Sequence, residues 1–126
     1  MNREIINSPN APAAIGPYSQ AVRVGDTVYC SGQIPIDPET GDLVTGSVEV
    51  QTSRVLDNLQ AVLGATGLSM SDVVRCTVFV SDMEHFGRVN EVYARYFPSD
   101  PPARATVEVA RLPKDVDVEI SCIAVG

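Results

Sequence analysis

Residues 101–125 place the tightest constraint on the fold. Two β-rich runs, Ala103-Arg104-Ala105-Thr106-Val107-Glu108-Val109 and Val116 to Val125, flank the segment Arg111-Leu112-Pro113-Lys114-Asp115. Pro101 and Pro102 mark where the first strand must begin, and two such runs around a proline-containing turn predict a hairpin. Side chains alternate along a strand, so Arg104, Thr106 and Glu108 share one face while Ala105, Val107 and Val109 share the other. In the second run Val116, Val118, Ile120, Cys122 and Ala124 form a continuous apolar stripe. The opposite face carries Asp117, Glu119 and Ser121 before turning apolar at Ile123 and Val125. Glu119 is thus a carboxylate on a strand otherwise built for a core.

A guanidinium near the start of one strand and a carboxylate within the next are the groups that a site for a small carboxylate substrate needs. Arg104 can grip such a ligand through two parallel charge-assisted hydrogen bonds, and Glu119 can move a proton or orient a water. The plainer reading is a pair of solvated strand residues or a weak surface ion pair. In a hairpin centred near Pro113 the two sit offset rather than opposite, and they can also meet across a subunit boundary.

Upstream, Arg3 to Ile6 is a short strand, and Pro9, Pro12, Gly16 and Pro17 keep residues 7–17 in an extended loop that ends at Tyr18. Tyr18 can present its ring and hydroxyl to a ligand or cover the edge of the core. Ala21 to Val24 and Thr27 to Ser31, joined by Gly25-Asp26, form a second hairpin. Gly32, directly after Ser31, permits close approach, so the Ser31 hydroxyl is a candidate pocket wall or a plain strand exit. Ser47 caps a helix to about Ala65, with Val55, Leu56, Leu59, Val62 and Leu63 on its buried face, Gln51, Arg54, Asp57, Asn58 and Gln60 toward solvent, and Gly67 ending it. A strand over Val73 to Val80 follows. Ser81-Asp82 then caps a second helix ending near Phe97, whose stripe is Phe86, Val89, Tyr93 and Tyr96/Phe97 and beside which Asn90 falls. The expected architecture is α+β: a mixed sheet with two helices on one face, the other face awaiting burial by another subunit.

At 126 residues the chain predicts a single domain, 1–126, with its own core. A net charge of −7, with Lys114 the sole lysine, disfavours nucleic acid as a partner. With one histidine, His85, and three widely spaced cysteines, Cys30, Cys76 and Cys122, there is little material for a metal site, and the cysteines read as buried reduced thiols. No apolar run reaches membrane-spanning length and the N-terminus lacks a secretory pattern, so a cytoplasmic address is expected.

Gly16-Pro17-Tyr18-Ser19-Gln20-Ala21, Ser31-Gly32-Gln33-Ile34-Pro35, Val89-Asn90-Glu91-Val92-Tyr93 and Pro102-Ala103-Arg104, with Val107 to Pro113, together resemble the RidA/YjgF family of enamine/imine deaminases over nearly the whole chain. The resemblance implies a chorismate-mutase-like α+β fold, trimeric, with the sheets packed into a central barrel and ligand sites in the clefts between subunits. It also implies cofactor-free hydrolysis of 2-iminopropanoate and 2-iminobutanoate, released by PLP-dependent dehydratases, to 2-oxo acids and ammonia. On that footing Arg104 matches the carboxylate-binding arginine and Glu119 the residue handling water and protons, while Tyr18, Ser31 and Asn90 match other pocket residues. Thr106 is a further pocket residue and a departure, because many members have a cysteine there. Two alternatives stand beside this: a non-catalytic module that binds 2-oxo acids for regulation, and a ribonuclease or translation inhibitor, against which the acidic balance argues.

Overall fold

A computed structural model describes residues 2–126, with β1 at Arg3–Ile6, β2 at Ala21–Val24, β3 at Thr27–Gln33, α1 at Val48–Gly64, β4 at Val73–Val80, α2 at Phe86–Tyr96, β5 at Ala103–Glu108 and β6 at Val118–Val125. The strands form one mixed sheet in the order β1-β2-β3-β6-β4-β5, antiparallel throughout except for the parallel pair β4 and β5. β2 and β3 form the expected hairpin, with Gly25 at φ +60° making the two-residue turn that a side chain would strain.

The hairpin expected from residues 103–125 does not form. β4 lies between its two strands, so β5 pairs with β4 and never touches β6 as a neighbour. The unit β4-α2-β5 explains this: a helix between two strands returns the chain in its original direction and demands parallel pairing. The long link from β5 to β6 then crosses the end of β4. Val109 donates its N–H to the Val80 carbonyl at 3.0 Å and Ser81 donates to the Asp117 carbonyl at 3.1 Å, which ties the link down at both sides.

Ser47 caps α1 as expected, its hydroxyl accepting from the Val50 N–H. Val55, Leu56, Leu59, Val62 and Leu63 of α1 pack with Val89, Val92 and Tyr93 of α2 and with Val118, Ile120, Cys122 and Ala124 of β6 in one buried cluster. The solvent face expected for α1 needs correction, because Gln51 and Asn58 are buried. Asn58 donates to the carbonyls of Ile34 and Ile36 at 3.3 and 2.9 Å, and Gln51 donates to an Asp117 carboxylate oxygen at 2.9 Å. Each amide is satisfied by loop or strand backbone and carboxylate rather than by solvent, a use that hydrophobic periodicity cannot register. Asp82 caps a short 3₁₀ turn, Met83–His85, which leads into α2.

The helices cover one face only. On the other, the register sets Ile5, Val22, Tyr29 and Ile123 side by side across four strands. Ile5, Tyr29 and Val107 on this face are 55%, 50% and 42% exposed. Beneath the helices a second row runs Cys30, Cys122, Cys76 and Arg104 across β3, β6, β4 and β5. The three cysteines are free and buried. Contact with Cys30, together with burial, pushes the Cys122 thiol above the usual range.

Candidate functional site

Arg104 is the second residue of β5, separated from the two prolines by Ala103, and faces the helix side, in register with Cys76. Its Nη1 donates to the Asn90 side-chain oxygen at 2.7 Å. Its guanidinium carbon lies 4.9 Å from the centre of the Tyr93 ring and 5.5 Å from that of Phe86. An amide and two aromatic faces therefore hold the fork without neutralising it, and no carboxylate pairs with it among the described residues. Asn90, Tyr93, Ala94, Phe97, Pro101, Pro102 and Arg104 line a cleft of about 520 Å³. Thr106 shares the Arg104 face, and the buried hydroxyl oxygens of Thr106 and Tyr93 have no hydrogen-bond partner. Burial pushes the Tyr93 hydroxyl far up, so it stays neutral, and burial likewise raises the Cys76 thiol beside it. Sequence periodicity assigned Phe86 and Tyr93 to the core and missed that they seat the arginine. Asn90 at four residues from Phe86 and three from Tyr93 was the available signal.

Glu119 stands on β6 opposite Phe79, on the sheet face away from the helices. β3 and β6 lose register between Cys30 and Gln33, a bulge that brings Gly32 against Glu119. A Cβ on Gly32 would fall 2.5 Å from a Glu119 carboxylate oxygen and 2.9 Å from its carboxyl carbon. The close approach expected at Gly32 is thus made by this carboxylate. Burial alone raises the Glu119 pKa.

Glu119, Tyr18 and Lys114 line a second cleft of about 520 Å³, with Ile15, Ile34 and Pro113 among its apolar walls. Gln20 anchors the Tyr18 loop: it accepts from the Ser8 N–H at 2.6 Å and donates to the carbonyls of Ser8 and Pro12. Gly16, at φ +123°, turns that loop so that Tyr18 donates its N–H back to the Gly16 carbonyl. The Ser31 hydroxyl donates to the Ser19 carbonyl, so it fastens the Tyr18 loop and does not line the cleft.

One chain therefore joins Arg104 to Asn90, and Tyr18 to Glu119, but it does not join Arg104 to Glu119. The two point to opposite faces of the sheet, with β4 between their strands. Among the described residues no three His, Cys, Asp or Glu side chains are grouped to hold a metal ion, and no helix is long and apolar enough to cross a membrane.

A six-stranded mixed sheet with two helices on one face, and a cleft with polar groups on each face, defines a small α+β protein of the kind that binds compact ligands. The Endoribonuclease L-PSP family matches residues 8–126, and the chain belongs to this family, the RidA/YjgF family that its motifs resemble. It is 58% identical to the protein DfrA of Myxococcus xanthus, over 100% of this chain and 98% of that one. It is 50% identical to a mouse protein named 2-iminobutanoate/2-iminopropanoate deaminase, over 98% of this chain and 91% of that one. The crystal structure of YyfA, a Rid-family protein from Yersinia pestis, superposes with a TM-score of 0.97 at 47% identity, covering 99% of this chain and 100% of that one.

Proposed function

We propose that the protein hydrolyses small 2-imino acids and their enamine tautomers to 2-oxo acids and ammonia, at a site completed between two copies of the chain. The observation that carries this is Arg104, an unneutralised guanidinium braced by Asn90, Tyr93 and Phe86 in a protein of net charge −7. Such a group suits a ligand carboxylate, which it binds through two parallel hydrogen bonds. The name of the mouse relative supplies the compound class, carried over to this chain as part of the proposal.

In this reading the exposed apolar sheet faces of three copies close into a barrel. Arg104, Asn90 and Thr106 of one copy meet Tyr18 and Glu119 of the next. Arg104 fixes the carboxylate so that C2 of the imine faces Glu119. The raised pKa of Glu119 keeps its carboxyl protonated to higher pH than an exposed glutamate, which suits it to donate to the imine nitrogen. Water adds to C2, its proton passes to the glutamate, and the C–N bond of the resulting aminoalcohol breaks with loss of ammonia. Fixing the substrate contributes several kcal/mol, and proton transfer a factor on the order of 100 to 10,000. Ser31 supports the site by holding the Tyr18 loop.

The test couples the protein to a serine or threonine dehydratase and follows decay of the imine by semicarbazone trapping. The wild-type chain shortens the imine's lifetime, and Arg104→Ala lowers kcat/KM at least about 100-fold while the oligomer stays intact. Binding of a 2-oxo acid without faster imine decay would instead favour a regulatory module.

A further inference from the structure

We propose that Lys114 is a subsite for a second carboxylate, so that the chain takes 2-imino acids whose side chain is itself acidic, the imines of four- and five-carbon 2-oxo dicarboxylic acids. The inference rests on the imine-hydrolysis reading above and adds to it the class of side chain accepted.

Lys114 is the only lysine of the chain, and it lies in the wall of the cleft that Glu119 and Tyr18 line. Its backbone is fixed. Pro113 starts the 3₁₀ turn, Lys114 and Asp115 both hold left-handed conformations at φ 55° and 56°, and the N–H groups of Asp115 and Val116 donate to the carbonyls of Leu112 and Pro113. Two consecutive non-glycine residues in that region are strained and persist only where the surrounding structure holds them. The turn thus holds the base of the lysine side chain at one place on the rim.

The acidic neighbours make contacts other than to Lys114. Asp115 accepts from Arg111 at 2.6 and 3.1 Å, and Asp37, also in the cleft wall, accepts from the Glu39 N–H at 2.8 Å. Lys114 itself forms no ion pair among the described residues. Burial is the sole cause of the upward shift at Glu119, with no contribution from a cation. Lys114 and Glu119 share the lining of one cleft, so a ligand bound there meets both side chains. The same cleft has apolar walls at Ile15, Ile34, Ile36 and Pro113, which suit methylene groups. In a chain of net charge −7 a dianionic substrate needs a local cation at each end, and in the proposed assembly Arg104 of one copy and Lys114 of the next would supply them.

The experiment compares imines generated in place by amino-acid oxidases from alanine and from aspartate or glutamate, with semicarbazide as trap. The readout is the ratio of kcat/KM for the dicarboxylic imine to that for the monocarboxylic one. Lys114→Gln is expected to lower that ratio about five-fold, and Lys114→Arg to hold it within about two-fold. Calorimetry with the corresponding 2-oxo dicarboxylic acid gives a second measure, the glutamine variant binding it about five-fold more weakly. An unchanged ratio in Lys114→Gln, or a wild-type protein that hydrolyses only the monocarboxylic imine, overturns the subsite and leaves the deaminase reading intact. Acceleration of neither imine overturns the deaminase reading and the subsite with it.

Discussion

Glu119 is a carboxyl that the fold holds against its own preference for water. Burial raises its pKa above the ordinary 4.5, so between that value and the higher folded one the native chain binds a proton that the unfolded chain has released. Stability from this residue is fully present below 4.5 and is lost as pH rises through the folded value. Glu119→Gln removes the titration, so its melting temperature should exceed that of the wild type by more at pH 7 than at pH 4. Parallel melting curves across this range would show that the carboxyl is not desolvated. Arg104 is the opposite case, an exposed charge whose freedom is limited by two rings and one amide rather than by burial.

At the scale of elements, the bulge in β3 decides whether that carboxyl has room. Gly32→Ala sets a methyl group within 3 Å of the Glu119 carboxyl, and a flexible side chain yields more readily than the sheet. The expected result is a folded protein with little change in melting temperature and a kcat lowered about 100-fold, since a displacement near 1 Å costs that much. Steady-state kinetics beside thermal denaturation check both halves. Helix and strand positions were legible in the sequence, because Leu56, Leu59 and Leu63 or Val74 to Val80 announce their periods without help from the rest of the chain. The pairing of β5 was not. Nothing in Ala103 to Glu108 distinguishes a partner across Pro113 from one reached through α2, and only the order of the whole sheet resolves it. Arg104, Glu119, Tyr18 and Asn90 were legible as chemistry. The bulge that couples Gly32 to Glu119, and the polar clips from Gln51 and Asn58, depend on contacts between distant segments and leave no local pattern.

At the scale of the molecule, half of the sheet's surface is finished and half is not. The helix side carries a closed core, whereas Ile5, Tyr29, Val107 and Val125 stand open to solvent on the other. An apolar face of this kind calls for a partner surface, and the three-fold closure proposed above would let each copy both give and receive. Because Arg104 and Glu119 look away from each other across β4, each chain would lend its cation to one neighbour and borrow an acid from another. Two inert preparations, Arg104→Ala and Glu119→Gln, should then revive one another when unfolded together and allowed to reassemble at random. About a quarter of the pairings would reunite an intact arginine with an intact glutamate, and turnover should recover to about that fraction. A blend that stays inert would mean that each chain works alone.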